Sequence, residues 1–158
     1  MNHIKISIQD QQLELHKSDQ SVQRYPISTA KKGAGELNGS ECTPRGQHQI
    51  RAMIGSNCPL NTVFVARRPT GEIYNEALAQ QYPQRDWILT RILWLSGMEK
   101  GKNRLGEVDT MQRFIYIHGC PDDCQLSQPG SHGCIRMHNQ DVVALFDQVE
   151  PGTPVIVQ

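Results

Sequence analysis

The chain opens with HIKISIQDQQLELHK, which sets isoleucine at positions 4, 6 and 8 and leucine at 13 and 15, on either side of QDQQ. Alternation with a period of two around a polar turn reads as a β-hairpin over 3–8 and 11–16 with one buried face. SVQRYPIST (21–29) continues as a third strand, in which Pro26 suggests an edge. QHQIRAMIG (47–55), TVFVARR (62–68) and QRFIYIHG (112–119) have the same β-branched and aromatic character, and PVIV (154–157) closes as a strand. WILTRILWLSG (87–97) leans towards strand because its bulky, branched residues end at Gly97.

Between these runs, residues 30–46 form a loop rich in Gly, Ser, Asn and Pro, a length uncommon in a compact domain unless it serves a function. PTG (69–71) is turn chemistry, and 97–110 is loop. NEALAQQYP (75–83) reads as a short helix stopped by Pro83. NQDVVALFDQV (139–149) carries a fuller helix signature, with Asn139 as N-cap, Asp141 in the first turn and apolar residues at 142, 145, 146 and 149. The sum is a mainly β single domain over 1–158 with one clear helix near its C-terminus.

Composition narrows the function. The 158 residues have zero formal net charge and 20% charged side chains, which gives no electrostatic reason to expect nucleic acid as a partner. Arg67-Arg68 and the Lys100, Lys102 and Arg104 cluster read as solvated surface. No run approaches the ~18 apolar residues of a membrane span, and the N-terminus shows no continuous apolar segment of a signal peptide. Five cysteines cannot all pair within one chain. These features set the expectation of a cytoplasmic protein with reduced thiols. Nothing in the residues bears on oligomeric state.

The chemistry gathers between 118 and 138: His118, Cys120, Cys124, His132, Cys134 and His138. Cys134, in SHGCIRM, admits four readings. As a nucleophile it needs a base, which His118 at the end of a strand would supply, remaining as imidazolium beside sulfur. Gly133 would let the backbone turn sharply, and the consecutive amides of His132, Gly133 and Cys134 would face a developing oxyanion. Ser131 would brace the turn or the imidazole, and Arg136 would hold a substrate carboxylate bidentately. As a metal site, HGCPDDC and HGCIRMH offer enough ligands for tetrahedral zinc, without the C-x2-C spacing of zinc modules. A disulfide would pair Cys120 with Cys124, or Cys42 with Cys58. Finally, Cys134 reads as a small buried hydrophobe. His132 reads as a packed side chain acting through its amide. His3, His16, His48 and His138 receive no role, nor do Cys42, Cys58, Cys120 and Cys124.

IHG…SHGCIRM, followed by a helix and GTPVIV, resembles the catalytic region of the YkuD family of L,D-transpeptidases. YPIST and CTPRGQHQI extend the similarity over most of the chain, with 69–111 its least diagnostic part. The resemblance implies a β-rich fold of two packed sheets with a short C-terminal helix, and no cofactor. It implies an enzyme that attacks peptidoglycan tetrapeptide stems, forming a thioester on cysteine that an amine or water resolves. Carried over, Cys134 is the nucleophile and His118 its base. The backbone carbonyl of Gly119 orients the imidazole, and Ser131, His132 and Gly133 fill the rest of the motif. Residues 119–130 separate His118 from Ser131, a shorter spacing than in several members, and Arg136 stands where many have Asn. Alternatives are L,D-carboxypeptidation or D-amino-acid exchange on soluble muropeptides and, more remotely, a zinc-stabilised binding module.

Overall fold

A computed structural model describes all residues, Met1–Gln158. The opening hairpin forms as β1 (His3–Ser7) and β2 (Gln12–His16), with Ile4 opposite Leu15 and Ile6 opposite Leu13. All four side chains are fully buried. Burial stabilises by roughly 1.5–3 kcal/mol for each such side chain, so one hairpin commits a large share of the stability to a single face.

That face is covered by closing the sheet on itself. The other ring strands are β3 (Val22–Ser28), β4 (Gly46–Ile54), β7 (Ile88–Gly97), β8 (Tyr116–Cys120), β9 (Ile135–His138) and β10 (Pro154–Val157). Hydrogen-bonded neighbours run β4-β10-β1-β2-β3-β9-β8-β7, and β7 pairs back to β4. The two packed sheets expected from the sequence are therefore continuous, and the ring is an eight-stranded barrel. It is mixed, because β1–β10 and β8–β9 are parallel while the remaining pairs are antiparallel. β3 pairs with β9 only through Ile27 and Ser28, so Pro26 lies just outside that pairing although its strand is internal to the ring.

A hairpin of β5 (Thr62–Val65) and β6 (Arg68–Ile73) hangs from β7, where Val63 opposes Leu89 and Phe64 opposes Ile88. This corrects the reading of 62–68 as one strand. Ala66 and Arg67 both have positive φ (49° and 64°) and make a two-residue turn, so PTG lies within β6. The short helix α1 (Glu76–Gln81) is capped by the Asn75 side chain, which accepts from the Leu78 amide at 2.8 Å.

Helix α2 (Asn139–Phe146) packs on β7, β8 and β9 and adds Val142, Leu145 and Phe146 to the main core. Asn139 is not its N-cap. His138 takes that position without a side-chain hydrogen bond. The Asn139 amide is drawn elsewhere: Oδ1 accepts from the Thr90 hydroxyl (2.6 Å) and Nδ2 donates to Asn61 (2.9 Å). The strand expected at 112–119 also starts later, at Tyr116. Asp109 accepts from the Leu105 and Gln112 amides and folds the preceding residues into turns, ending at Phe114 with φ 58°.

Candidate active site

β8 (YIHGC) is buried at every position, with β7 on one side and β9 on the other. Its centre opposes β9 so that His118 stands beside Arg136. The residues just before β9 form the SHGC loop, which brings Cys134 to the same cavity as His118. This cavity, about 330 Å³, is walled by apolar side chains including Phe64, Ile88, Ile92 and Tyr116.

His118 is mid-strand and buried, not at a strand end. Its Nδ1 lies 2.6 Å from the carbonyl oxygen of Gly119. Only a protonated Nδ1 can donate to that carbonyl, which leaves Nε2 with its lone pair as the acceptor. No protein group hydrogen-bonds Nε2, and the residue lines the cavity. Gly119 carries no side chain for a concrete reason. A Cβ there would collide with Asn139 Oδ1 and come within 2.7 Å of the Leu89 carbonyl.

The Cys134 sulfur accepts from the Tyr116 amide at 3.3 Å, and its thiol donates to the Phe114 carbonyl at 3.4 Å. Burial pushes the thiol well above the ordinary cysteine range, against the smaller opposing pull of the Tyr116 amide. Burial likewise lowers His118, more than the Gly119 carbonyl raises it. Both shifts favour neutral forms. Burial therefore favours the neutral thiol and imidazole over an imidazolium–thiolate pair.

The loop is held from both sides. Ser131 Oγ donates to the Cys134 carbonyl (2.6 Å) and accepts the Gly133 amide (3.1 Å), so it braces the turn and not the imidazole. The Gly133 amide is thereby occupied, and only the His132 and Cys134 amides remain without a protein acceptor. Gly133 has φ 133°, and a Cβ on it would press on Ile115 and the Cys42 carbonyl. The His132 ring is 65% exposed and does not pack; its nearest charged neighbour is Asp86 at 3.8 Å. Arg136 is not a free carboxylate clamp. It donates to Asp86 (3.1 Å) and to the Gly130 carbonyl (3.2 Å).

Several partners escaped the sequence reading. Thr43 Oγ1 donates to the Gly133 carbonyl (2.9 Å) and accepts the Ala30 amide (2.9 Å), which stitches the 30–46 loop to the cysteine loop. Arg113 donates to the Cys42 carbonyl at 2.6 Å and pins the same loop. The unusual length of 30–46 was the available signal for these. Arg67, read as surface, is in the cavity wall.

All five cysteines are free thiols, and no three or more His, Cys, Asp or Glu side chains are arranged around a common point to hold a metal. Cys120 is buried, with its thiol on the Met137 carbonyl (3.2 Å). No helix is long and apolar enough to cross a membrane.

Residues 1–157 match the family model YkuD, described as the L,D-transpeptidase catalytic domain. Over 45 residues the chain is 42% identical to the putative L,D-transpeptidase YqjB of Bacillus subtilis (strain 168), a match covering 28% of this chain and 26% of that protein. Its fold is similar to L,D-transpeptidase 3 from Mycobacterium tuberculosis in complex with a faropenem-derived adduct (TM-score 0.61, 17% identity, 99% of this chain and 60% of that one). It is also similar to an L,D-transpeptidase from Mycobacterium smegmatis (TM-score 0.56, 19% identity, 99% of this chain and 58% of that one). The chain thus spans 58–60% of those two structures.

Proposed function

The chain belongs to the YkuD family of L,D-transpeptidase catalytic domains, and from that premise we propose that it is a cysteine-dependent acyltransferase acting on peptidoglycan tetrapeptide stems. The observation that carries the reading is the 2.6 Å contact between His118 Nδ1 and the Gly119 carbonyl, which fixes the tautomer. With Nδ1–H on the Gly119 carbonyl, the imidazole presents its basic nitrogen to the cavity that Cys134 also lines.

The donor's scissile amide enters beside the thiol. Nε2 takes the thiol proton as Sγ attacks the amide carbon, and the oxyanion forms against the free amides of His132 and Cys134. The imidazolium returns the proton to the leaving amine of the terminal D-residue, and a thioester remains. A second amine then attacks the thioester while Nε2 accepts its proton. Sulfur leaves and recovers its proton from the imidazolium. Because burial favours uncharged partners, proton transfer accompanies the acylation step in this reading. Water in place of the amine gives carboxypeptidation, and a free D-amino acid gives exchange.

Intact-protein mass spectrometry with a purified tetrapeptide muropeptide tests the proposal. The expected result is a covalent acyl adduct on Cys134 with release of the terminal D-residue, absent in Cys134→Ala. Product masses then separate crosslinked dimer, tripeptide and exchanged tetrapeptide. A faropenem-derived adduct on Cys134 is the parallel expectation. Turnover that survives in Cys134→Ala would overturn the assignment.

A further inference from the structure

The cavity holds two arginines in different electrostatic situations. Arg136 is paired with Asp86, so its charge is locally offset. Arg67 belongs to no ion pair in the molecule. Its guanidinium lies 4.9 Å from the centroids of both the Trp94 and Phe114 rings and donates to the Tyr116 hydroxyl at 3.0 Å. Rings and a hydroxyl hold the side chain in place and leave its positive charge uncancelled.

Position and backbone reinforce this. Tyr116 spans the interval between Arg67 and the thiol, since its hydroxyl accepts from Arg67 while its amide donates to Cys134 Sγ. A guanidinium one tyrosine away from sulfur lies within reach of a carboxylate one or two residues from a scissile carbonyl, at ~3.3–3.6 Å per residue. The turn that delivers Arg67 is also conformationally costly. Ala66 and Arg67 take left-handed angles that Asn-Gly would adopt cheaply, and such strain at a cavity wall is characteristic of functional positions.

We propose that Arg67, delivered by the β5–β6 turn, is the residue that recognises the substrate's carboxylate, and that it selects acyl donors bearing a free carboxylate beside the scissile amide. Arg136 then serves to position the cysteine loop through Gly130 and Asp86. The identity of the donor as a peptide stem rests on the function proposed above; the carboxylate preference itself does not.

Two haloacetyl reagents isolate that preference. Iodoacetate and iodoacetamide alkylate the same sulfur with loss of iodide, and they differ in carrying a carboxylate or an amide. Rates at Cys134, followed by peptide mass spectrometry, give an iodoacetate-to-iodoacetamide ratio. Arg67→Gln is expected to lower that ratio about fivefold, the scale of an unpaired charge felt across about one side-chain length in a partly solvated cavity, with the iodoacetamide rate of each variant normalising for fold and thiol reactivity. Arg67→Lys keeps the charge and should retain part of the ratio; Arg136→Gln should leave it near wild type. A ratio that is unaltered in Arg67→Gln, or that falls in Arg136→Gln instead, would overturn the inference. A tetrapeptide donor with a C-terminal carboxylate or carboxamide extends the test to turnover. The amide form should raise KM in the wild type and make no difference in Arg67→Gln. If no muropeptide reacts at all, the substrate reading fails while the haloacetyl ratio still decides the role of Arg67.

Discussion

Two buried histidines sit on the strands that flank β7, and they begin alike. His48 on β4 and His118 on β8 each place Nδ1 against a backbone carbonyl, that of Gly46 at 3.0 Å and that of Gly119 at 2.6 Å. Each has its pKa lowered chiefly by burial. They part at the other nitrogen. Nε2 of His48 meets the Thr110 hydroxyl at 2.9 Å, whereas Nε2 of His118 meets no protein group and faces the cavity shared with Cys134. Burial and a fixed tautomer are therefore not what distinguishes a base from a structural bolt. The distinction lies in whether the Nε2 lone pair has been spent.

The sharpest way to test that contrast is to remove each ring in turn. His118→Gln is expected to slow acylation of Cys134 by a muropeptide ~10²–10⁴-fold, the usual worth of a positioned general base. His48→Gln should leave the acylation rate within about twofold. Equal losses in the two variants would erase the distinction.

A second test is pH. Burial pulls the folded pKa of His48 down to about 4 from the ordinary histidine value of ~6.5. Between those values the unfolded chain takes up a proton that the native state refuses, so stability falls as pH drops from ~6.5 towards ~4 and levels below. The effect reaches about 3 kcal/mol in total. His118, also lowered, adds in the same direction. Urea melts across this window should show a shallower pH slope in His48→Gln than in wild type.

Removing the far partner of His48 is a smaller perturbation. Thr110→Val leaves Nε2 buried and unpaired, at a cost of ~1–3 kcal/mol in the urea melt, with the muropeptide rate unchanged. The smallest expected effect on catalysis short of none is at the cysteine loop. Thr43→Val removes one hydrogen bond to the Gly133 carbonyl and one from the Ala30 amide, and should cost at least as much stability as Thr110→Val, ~2–4 kcal/mol. Because the free amides of His132 and Cys134 flank that anchor, it should also slow acylation by a few-fold, measured by the same adduct assay.

What was legible in the sequence follows the range over which each interaction acts. The opening hairpin was readable because its alternation and its pairing are local. The SHGC loop was readable because a thiol, a glycine with positive φ and a bracing serine are neighbours in sequence. Barrel closure was not, since β4–β7 and β1–β10 join segments with no shared local signal. The Ala66-Arg67 turn escaped because neither residue favours left-handed angles, so the strand pattern appeared to run through it. Arg67 was consigned to the surface because a short run of like charges is usually solvated. Asn139 has the right chemistry for a cap, but tertiary partners at Thr90 and Asn61 outbid the helix for its amide. The occupied Gly133 amide and the paired Arg136 are also facts of three dimensions, invisible to spacing.

The seating of β10 between β1 and β4 governs how the molecule is born. Ile4 is paired with Val155 and Ile6 with Val157, so the second strand edge of the opening hairpin has no native neighbour until residues 154–157 have been made. At a synthesis rate of ~5–20 residues per second, that edge waits on the order of ten seconds as an open template for stray β-pairing. The edge of β4 that β10 will occupy, over Gly46–Gln49, waits through most of the same interval. Nascent chains should therefore be prone to misassociation until the final strand docks, and variants that weaken β10 should reveal themselves first as poor soluble yield, before any loss of catalytic rate per folded molecule.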